Sequence, residues 1–245
     1  NLNGLIIKNN SKKESKSVST DIIIESKSHL ALSKNVVKIK SIYQPPNTAA
    51  IFTNDLPSFN DDKGNVAIYT SVNILLDSFD YDQTMHNSLI ADKEGVSLEK
   101  VVLNLPLTAK NWASGSKSSN YASPGYENTN NLTEISGNND EIFTLENKSF
   151  SPNQDGLQDE LRILYNLPAI GYIANLKVFD SNGYFIKEIA NNELLGSQGF
   201  LVWDGTDQNG QISRIGNYLL IGSAYSLTGD VVKLNKICIL AQKLD

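Results

Sequence analysis

The amino-acid sequence predicts an all-β protein, and three observations carry that reading. Apolar residues recur at every second position through many short runs. No window of a dozen residues sustains the spacing of an amphipathic helix. Clusters of Gly, Asn, Asp, Ser and Pro punctuate the runs, as a strand-and-turn architecture requires.

Composition narrows what such a protein does. The 245 residues suffice for one large domain or two ordinary ones, and a hydrophobic content of 40% can fill real cores. A formal net charge of -6 argues against a nucleic-acid partner, which needs a basic surface to displace counterions. The single cysteine, Cys238, excludes an intrachain disulfide and a thiolate metal cluster. Its setting, "NKICILAQ", alternates toward an apolar face and predicts a buried thiol. No apolar run approaches the about 20 residues needed to cross a bilayer, so no transmembrane segment is expected.

Taken in order, the first half reads as strands at 5–8, 17–24, 30–43, 48–52, 65–70 and 74–79. "NDDKGN" at 60–65 has the Asp and Gly content of a tight reversal. "QPPN" at 44–47 cannot lie inside a central strand, because proline has no amide to donate. At 128–139, "NTNNLTEISGNN" loses all periodicity and almost all large apolar residues, which marks a domain boundary. Beyond it "DELRILYNL" alternates, "ANLKVFDSNGYFIKEI" is a hairpin turning at 181–183, and "GFLVW" is a short strand. Two long strands reversing at 228–230 finish the chain. Six or seven short strands in about 95 residues suit an antiparallel sandwich of immunoglobulin type.

The stretch "WDGTDQNGQISRIGNYLL" is expected to be a structural corner. Trp203 ends a strand and plugs the sandwich, Asp204 bonds turn amides, and Asp207 to Gly210 supply a second turn.

Candidate chemistry is sparse. In "SPNQDGLQDE", Asn153, Asp155 and Asp159 space side-chain oxygens as a calcium loop does, with Gly156 permitting the sharp turn. Leu164 stands where an EF-hand loop beginning at Asn153 needs its bidentate Glu, so the loop is not of that type. The same residues equally describe a capped turn entering a strand. "SFDYDQTMHN" gathers Asp80, Tyr81, Asp82 and His86, but the other histidine, His29, is not tied to it. "LGSQG" lacks the first glycine of a nucleophile elbow. Ser114, Ser116 and Lys117 lie in a Gly/Ser-rich stretch that reads as solvated loop, and no Gly-rich turn precedes a helix to cradle phosphate. The basic tract 8–16, broken by Glu14, reads as solvated surface. No catalytic residue or enzyme activity is therefore expected.

Two resemblances follow from these residues. "FSPNQDGLQDELRILYNL", "LKVFDSNGYFIKEI" and "WDGTDQNGQ…GNY" resemble the immunoglobulin-like C-terminal domains of the flagellar hook-capping type. Very similar domains close secreted, including gliding-motility-associated, proteins of the Bacteroidota. This likeness covers 150–244 and implies export through the type IX secretion system. In the first half "IIIESKSHLALSKN", "LPSFNDDKGNVAIY", "LLDSFDYDQTMHN", "GVSLEK", "NWASG" and "SPGYEN" resemble, in order, pieces of bacterial lamin tail domains. Such domains are small immunoglobulin-like barrels. They usually begin with two strands ahead of the piece similar to "NLNGLII", which implies that this chain continues a longer protein whose upstream domains supply them. The lack of an initiator Met or signal core at the start agrees with that expectation.

The expected architecture is thus two immunoglobulin-like β-sandwich domains, 1–128 and 149–245, joined by a polar linker at 129–148. The lamin-tail likeness implies that an aromatic side chain and His86 pack beside Trp112. Tyr81, His86 and Trp112 would then combine aromatic faces with polar tips into an interaction surface. The function expected is a non-enzymatic cell-surface or secreted interaction module at the outer membrane of a Gram-negative bacterium. Its partners would be proteins, and its terminal domain would serve sorting or attachment. An accessory region of a secreted hydrolase, or a bound subunit of an outer-membrane assembly, are the rival readings.

Overall fold

The computed structural model describes residues 1–19, 21–102, 111–130 and 141–242. The chain is all-β, with one α-helix among the described residues, and it divides into two compact units, Asn1–Asn131 and Leu132–Asp245. No helix among them is long and apolar enough to cross a membrane.

The first unit is built on a four-stranded antiparallel sheet. Strand β1 (Ile6–Asn9) pairs on one side with β2 (Glu14–Ser17) and on the other with β5 (Lys63–Tyr69), which pairs with β6 (Leu75–Asp82). A separate parallel pair joins β3 (Ala31–Ser33) to β4 (Ile51–Thr53), and a third, antiparallel pair joins β7 (Leu98–Lys100) to β8 (Trp112–Ser114).

Three strand assignments in this unit need correction. Of the strand expected at 48–52, Thr48–Ala50 form a single helical turn, started by Asn47 accepting the Ala49 amide, and the strand begins at Ile51. Residues 30–43 are not one strand: after β3 the chain forms helix α1 (Val36–Tyr43). Asn35 accepts the Lys38 amide at its start, and Gln44 adopts a left-handed backbone at its end. A parallel pair needs a crossover, and α1 lies in the connection from β3 to β4. Of the strand expected at 17–24, only Ser17 lies in a strand among the described residues. Val18 and Ile22 are buried, but irregular bonds from the Val18 amide to the Leu5 carbonyl and from the Leu2 amide to the Ile22 carbonyl hold them there. Val18, Ile22 and Ile7 form the centre of a small apolar cluster backed by Leu32, Phe52 and Phe59.

The second unit is a sandwich. One sheet orders β10 (Ser149–Phe150), β16 (Val231–Leu240), β15 (Gly216–Tyr225), β12 (Ile173–Asp180) and β13 (Phe185–Leu194). The other orders β14 (Gln198–Trp203), β11 (Leu161–Asn166) and β9 (Phe143–Leu145). Strand β9 corrects the linker: Phe143 is buried and pairs with Tyr165 of β11, so the second unit takes up the chain before residue 149. The part of the linker at 131–140 lies outside the described residues.

Alternation makes the core. In β11, Leu161, Ile163 and Tyr165 point inward, and in β15 Tyr218, Leu220 and Ala224 do. Among the described residues twenty such side chains join one cluster. Cys238 is among them, and burial pushes its thiol up to about 12.

The corner forms as its residues dictate. Trp203 is buried edge-on against Phe150 and Tyr218, at 5.3 and 4.8 Å between ring centroids, and its indole N–H donates to the Thr206 carbonyl at 2.9 Å. Gly205 has φ +77°, and a β-carbon there would stand 2.9 Å from Cγ of Pro152. Burial works against ionisation of Asp204. The Lys187 ammonium and the Thr206 hydroxyl and amide outweigh it and hold the carboxyl at about 2.

Candidate interaction groove

Residues between 61 and 86, with Val96, Leu98 and Trp112, line one groove in the first unit, of about 440 Å³. Pairing in the β5–β6 hairpin sets one wall: Gly64 lies opposite Tyr81, Val66 opposite Phe79 and Ile68 opposite Asp77. Because side chains alternate along a strand, Asp77, Phe79 and Tyr81 share a face. Gly64 is required by this arrangement, since a β-carbon there would stand 2.4 Å from the Tyr81 hydroxyl. The Tyr81 hydroxyl donates to the Asn60 carbonyl at 2.7 Å and fixes the ring over the glycine.

The facing wall comes from β7 and β8. Trp112 stacks on Phe79 with centroids 3.7 Å apart and planes 15° from parallel, while Val96 and Leu98 fill the floor. Asp82 accepts the Thr84 amide at 2.8 Å and starts the single helical turn Gln83–Met85, which delivers His86 to the groove rim. Nδ1 of His86 is 3.0 Å from Oγ of Ser114, and that oxygen also accepts the Asn87 amide at 2.9 Å. Burial, together with the Lys93 charge, lowers the His86 pKa below its ordinary value. Tyr81, His86 and Trp112 therefore line one groove, and the aromatic partner of Trp112 is Phe79.

Behind this groove lies a polar network that no sequence motif announced. Glu99 of β7 is buried, and its Oε1 accepts the hydroxyls of Ser123 and Ser97 at 2.7 and 3.2 Å. Its Oε2 accepts Nδ2 of Asn130 at 3.0 Å, and the same nitrogen donates to the Ser114 carbonyl at 2.9 Å. Burial raises the Glu99 pKa, and the three donors only partly offset it. The signals were present, but 31 residues separate Glu99 from Asn130, and nothing in "GVSLEK" marks its glutamate as interior.

The calcium candidates lie together in one loop of the second unit; each bonds within the turn through at least one oxygen, while Oδ1 of Asp159 is buried without a hydrogen-bond partner. Asn153 accepts the Asp155 amide, Asp155 accepts the Leu157 amide at 2.9 Å, and Asp159 accepts the Gly156 amide at 2.8 Å. Among the described residues no three His, Cys, Asp or Glu side chains converge as a metal-holding group. A second cavity, of about 510 Å³, sits at the corner of this unit between the 181–183 turn and the loop after Trp203. Its carboxylates are occupied: Asp180 accepts the Asn182 and Tyr184 amides, and Asp207 those of Asn209 and Gln211.

No protein-family model and no curated protein sequence matches the chain. Among solved structures, FlgD from P. aeruginosa is similar at 22% identity and a TM-score of 0.28, over 33% of this chain and 62% of its own. FlgD from Xanthomonas campestris, described for its part in hook capping, is similar at 23% identity and a TM-score of 0.27, over 33% of this chain and 57% of its own. PorZ from Porphyromonas gingivalis, a surface component of the type IX secretion system, is similar at 11% identity and a TM-score of 0.30. That likeness covers 72% of this chain and 20% of PorZ. Latent PorU from the same bacterium is similar over 77% of this chain and 13% of its own, at 11% identity and a TM-score of 0.31. The chain thus spans less than two thirds of each of these proteins.

Proposed function

We propose that this protein is a non-enzymatic, cell-surface or secreted interaction module. Its first unit offers the groove to a protein partner, and its second unit serves type IX export, sorting or outer-membrane attachment. One observation carries the first part: Tyr81 and His86 of one stretch and Trp112 of another line a single groove. Ser114, bonded to His86 at the groove rim, is buried and its hydroxyl oxygen already accepts the Asn87 amide, which fits a positioning role. The export role rests on the residues at 150–244 that resemble hook-capping-type terminal domains.

The test is deletion of residues 150–245 in a bacterium that owns a type IX system. The truncated chain is expected to stay in the periplasm. Unchanged arrival at the cell surface would remove the sorting role, and enzyme-like turnover of peptide, glycan or nucleic acid by the intact chain would remove the non-enzymatic one.

A further inference from the structure

The groove is selective by charge. Asp61 and Asp77 line it, and neither lysine nor arginine does. The two carboxylates stand toward opposite ends. Asp77 lies opposite Ile68, whereas Asp61 follows Asn60, whose carbonyl holds the Tyr81 hydroxyl. Four residues of strand separate Asp77 from Tyr81, a distance of about 13 Å at the usual rise. Between them lies the stacked pair of Phe79 and Trp112. Of the nearby bases, Lys63 and Lys93 act on Asp82, and Lys93 also on His86 at the groove rim, but neither lines the groove. The wall that carries Asp77, Phe79 and Tyr81 is also a sheet edge. Among the described residues β6 pairs with β5 alone, and its other side has no strand. Beside that edge Ile74, Leu75 and Leu76 remain 61%, 52% and 57% exposed, more apolar surface than an unpaired edge ordinarily shows to water.

We infer that the occupant of this groove is an extended segment of a partner protein, added as a strand along β6, with basic residues four apart and an apolar residue midway. Strand addition supplies the main-chain bonds, and alternate side chains supply specificity. Residues i, i+2 and i+4 of an added strand all face the groove. The first meets Asp77 as an opposite charge across the added pair, the middle one packs on the Phe79–Trp112 stack, and the last, beside Tyr81, extends past that ring toward Asp61, which lines the groove just ahead of β5. This inference rests on the interaction reading and names the chemistry of its partner.

The test uses the intact chain and three capped peptides with the cores Lys-Thr-Val-Thr-Lys, Glu-Thr-Val-Thr-Glu and Thr-Thr-Val-Thr-Thr, followed by amide NMR shifts and titration calorimetry. The basic peptide is expected to bind with shifts along β6, and the acidic one not to bind. The double variant Asp61→Asn, Asp77→Asn is expected to lose about threefold in affinity for the basic peptide, as one exposed cross-strand charge pair and one longer-range attraction are worth. Both aspartates are exposed, so this variant should keep the parent melting temperature, and the Thr-flanked peptide should bind it as it binds the parent. Equal affinity for basic and acidic peptides, or no loss in the double variant, would overturn the charge selectivity and leave the interaction reading standing. No shift in the groove with any of the three would overturn strand addition at β6. If replacement of Trp112 by Ala also leaves partner capture at the cell surface unchanged, the interaction reading falls with it.

Discussion

The two units solve the same problem, covering β-sheets with apolar side chains, in opposite ways. The second unit gathers its large residues inside: Trp203, Phe150, Leu161 and Ile163 are almost wholly buried in one cluster. The first unit closes a smaller apolar cluster around Ile7, Val18 and Ile22, buries a carboxylate at Glu99, and leaves Val72, Ile74, Leu75 and Leu76 at the surface. Polar residues follow suit. In the second unit Asp180, Asp204 and Asp207 close turns, whereas in the first Glu99, Asn130 and Ser114 link segments far apart in sequence. The contrast teaches that interior apolar volume stabilises one unit, while satisfied buried polar groups take a larger share in the other.

The largest break in this contrast is Trp203→Ala. Removing a buried indole with two edge-on aromatic partners should cost about 4 kcal/mol, seen in denaturant titration as early loss of the second unit's transition while the first unit's persists. In the first unit the counterpart is Glu99→Ala, which leaves the donors of Ser97, Ser123 and Asn130 without their acceptor. About 2 kcal/mol is expected, read as a lower midpoint for that unit alone. The pH dependence has a defined sign. Since the folded-state pKa of Glu99 lies above 4.5, its contribution is fully present below that value and is lost as pH rises through the raised one. His86 acts oppositely, because its folded-state pKa lies below 6.5 and its contribution is lost as pH falls through it. With His86 replaced by Gln to remove the opposing titration, a first-unit melting temperature that stays flat as pH rises from 4.5 would count against the buried network.

Gly64→Ala sharpens the comparison at the groove. The added methyl meets the Tyr81 ring, so Tyr81 must swing out and give up its bond to the Asn60 carbonyl, at about 1 kcal/mol. Crystallography or aromatic NMR shifts would record the displaced ring. Asp204→Asn should cost roughly 1 kcal/mol at neutral pH, a figure kept small because the aspartate side chain is 58% exposed and its charges are screened. That contribution is present above 3.8 and disappears as pH falls toward about 2. The smallest effect concerns the 153–159 loop. Its turn closes on its own side chains, so millimolar calcium is expected to leave the second unit's melting temperature unchanged. A rise would assign the loop a cation, because binding to the native state must stabilise it.

Much of the second unit was legible from its punctuation. The reversals at 181–183 and 228–230 fall where Asn-Gly and Thr-Gly demand them, with Gly183 and Gly229 at positive φ. Alternation located β11, β12, β15 and β16 because each has one face in the core. Helix α1 was misread because "VVKIKSIY" alternates like a strand and is rich in β-branched residues. The better signals were local: the Asn35 cap and Pro45 just past the end. Strand β9 was hidden by being three residues long amid polar sequence. At the groove, the residue types pointed to Tyr81, His86 and Trp112. Their engagement with Phe79 and Ser114 did not show, because it depends on pairing between strands distant in the chain.

The parallel pairing of β10 with β16 has a mechanical consequence. These strands lie near the two ends of the second unit and run the same way, with the Ile239 amide bonded to the Lys148 carbonyl and the Ala241 amide to that of Phe150. Tension drawing those ends apart slides one strand along the other, so these cross-links are strained together and cannot be unzipped singly. A unit clasped in this manner would resist being pulled open by whatever grips its tail while the rest of the chain is tugged by its surroundings.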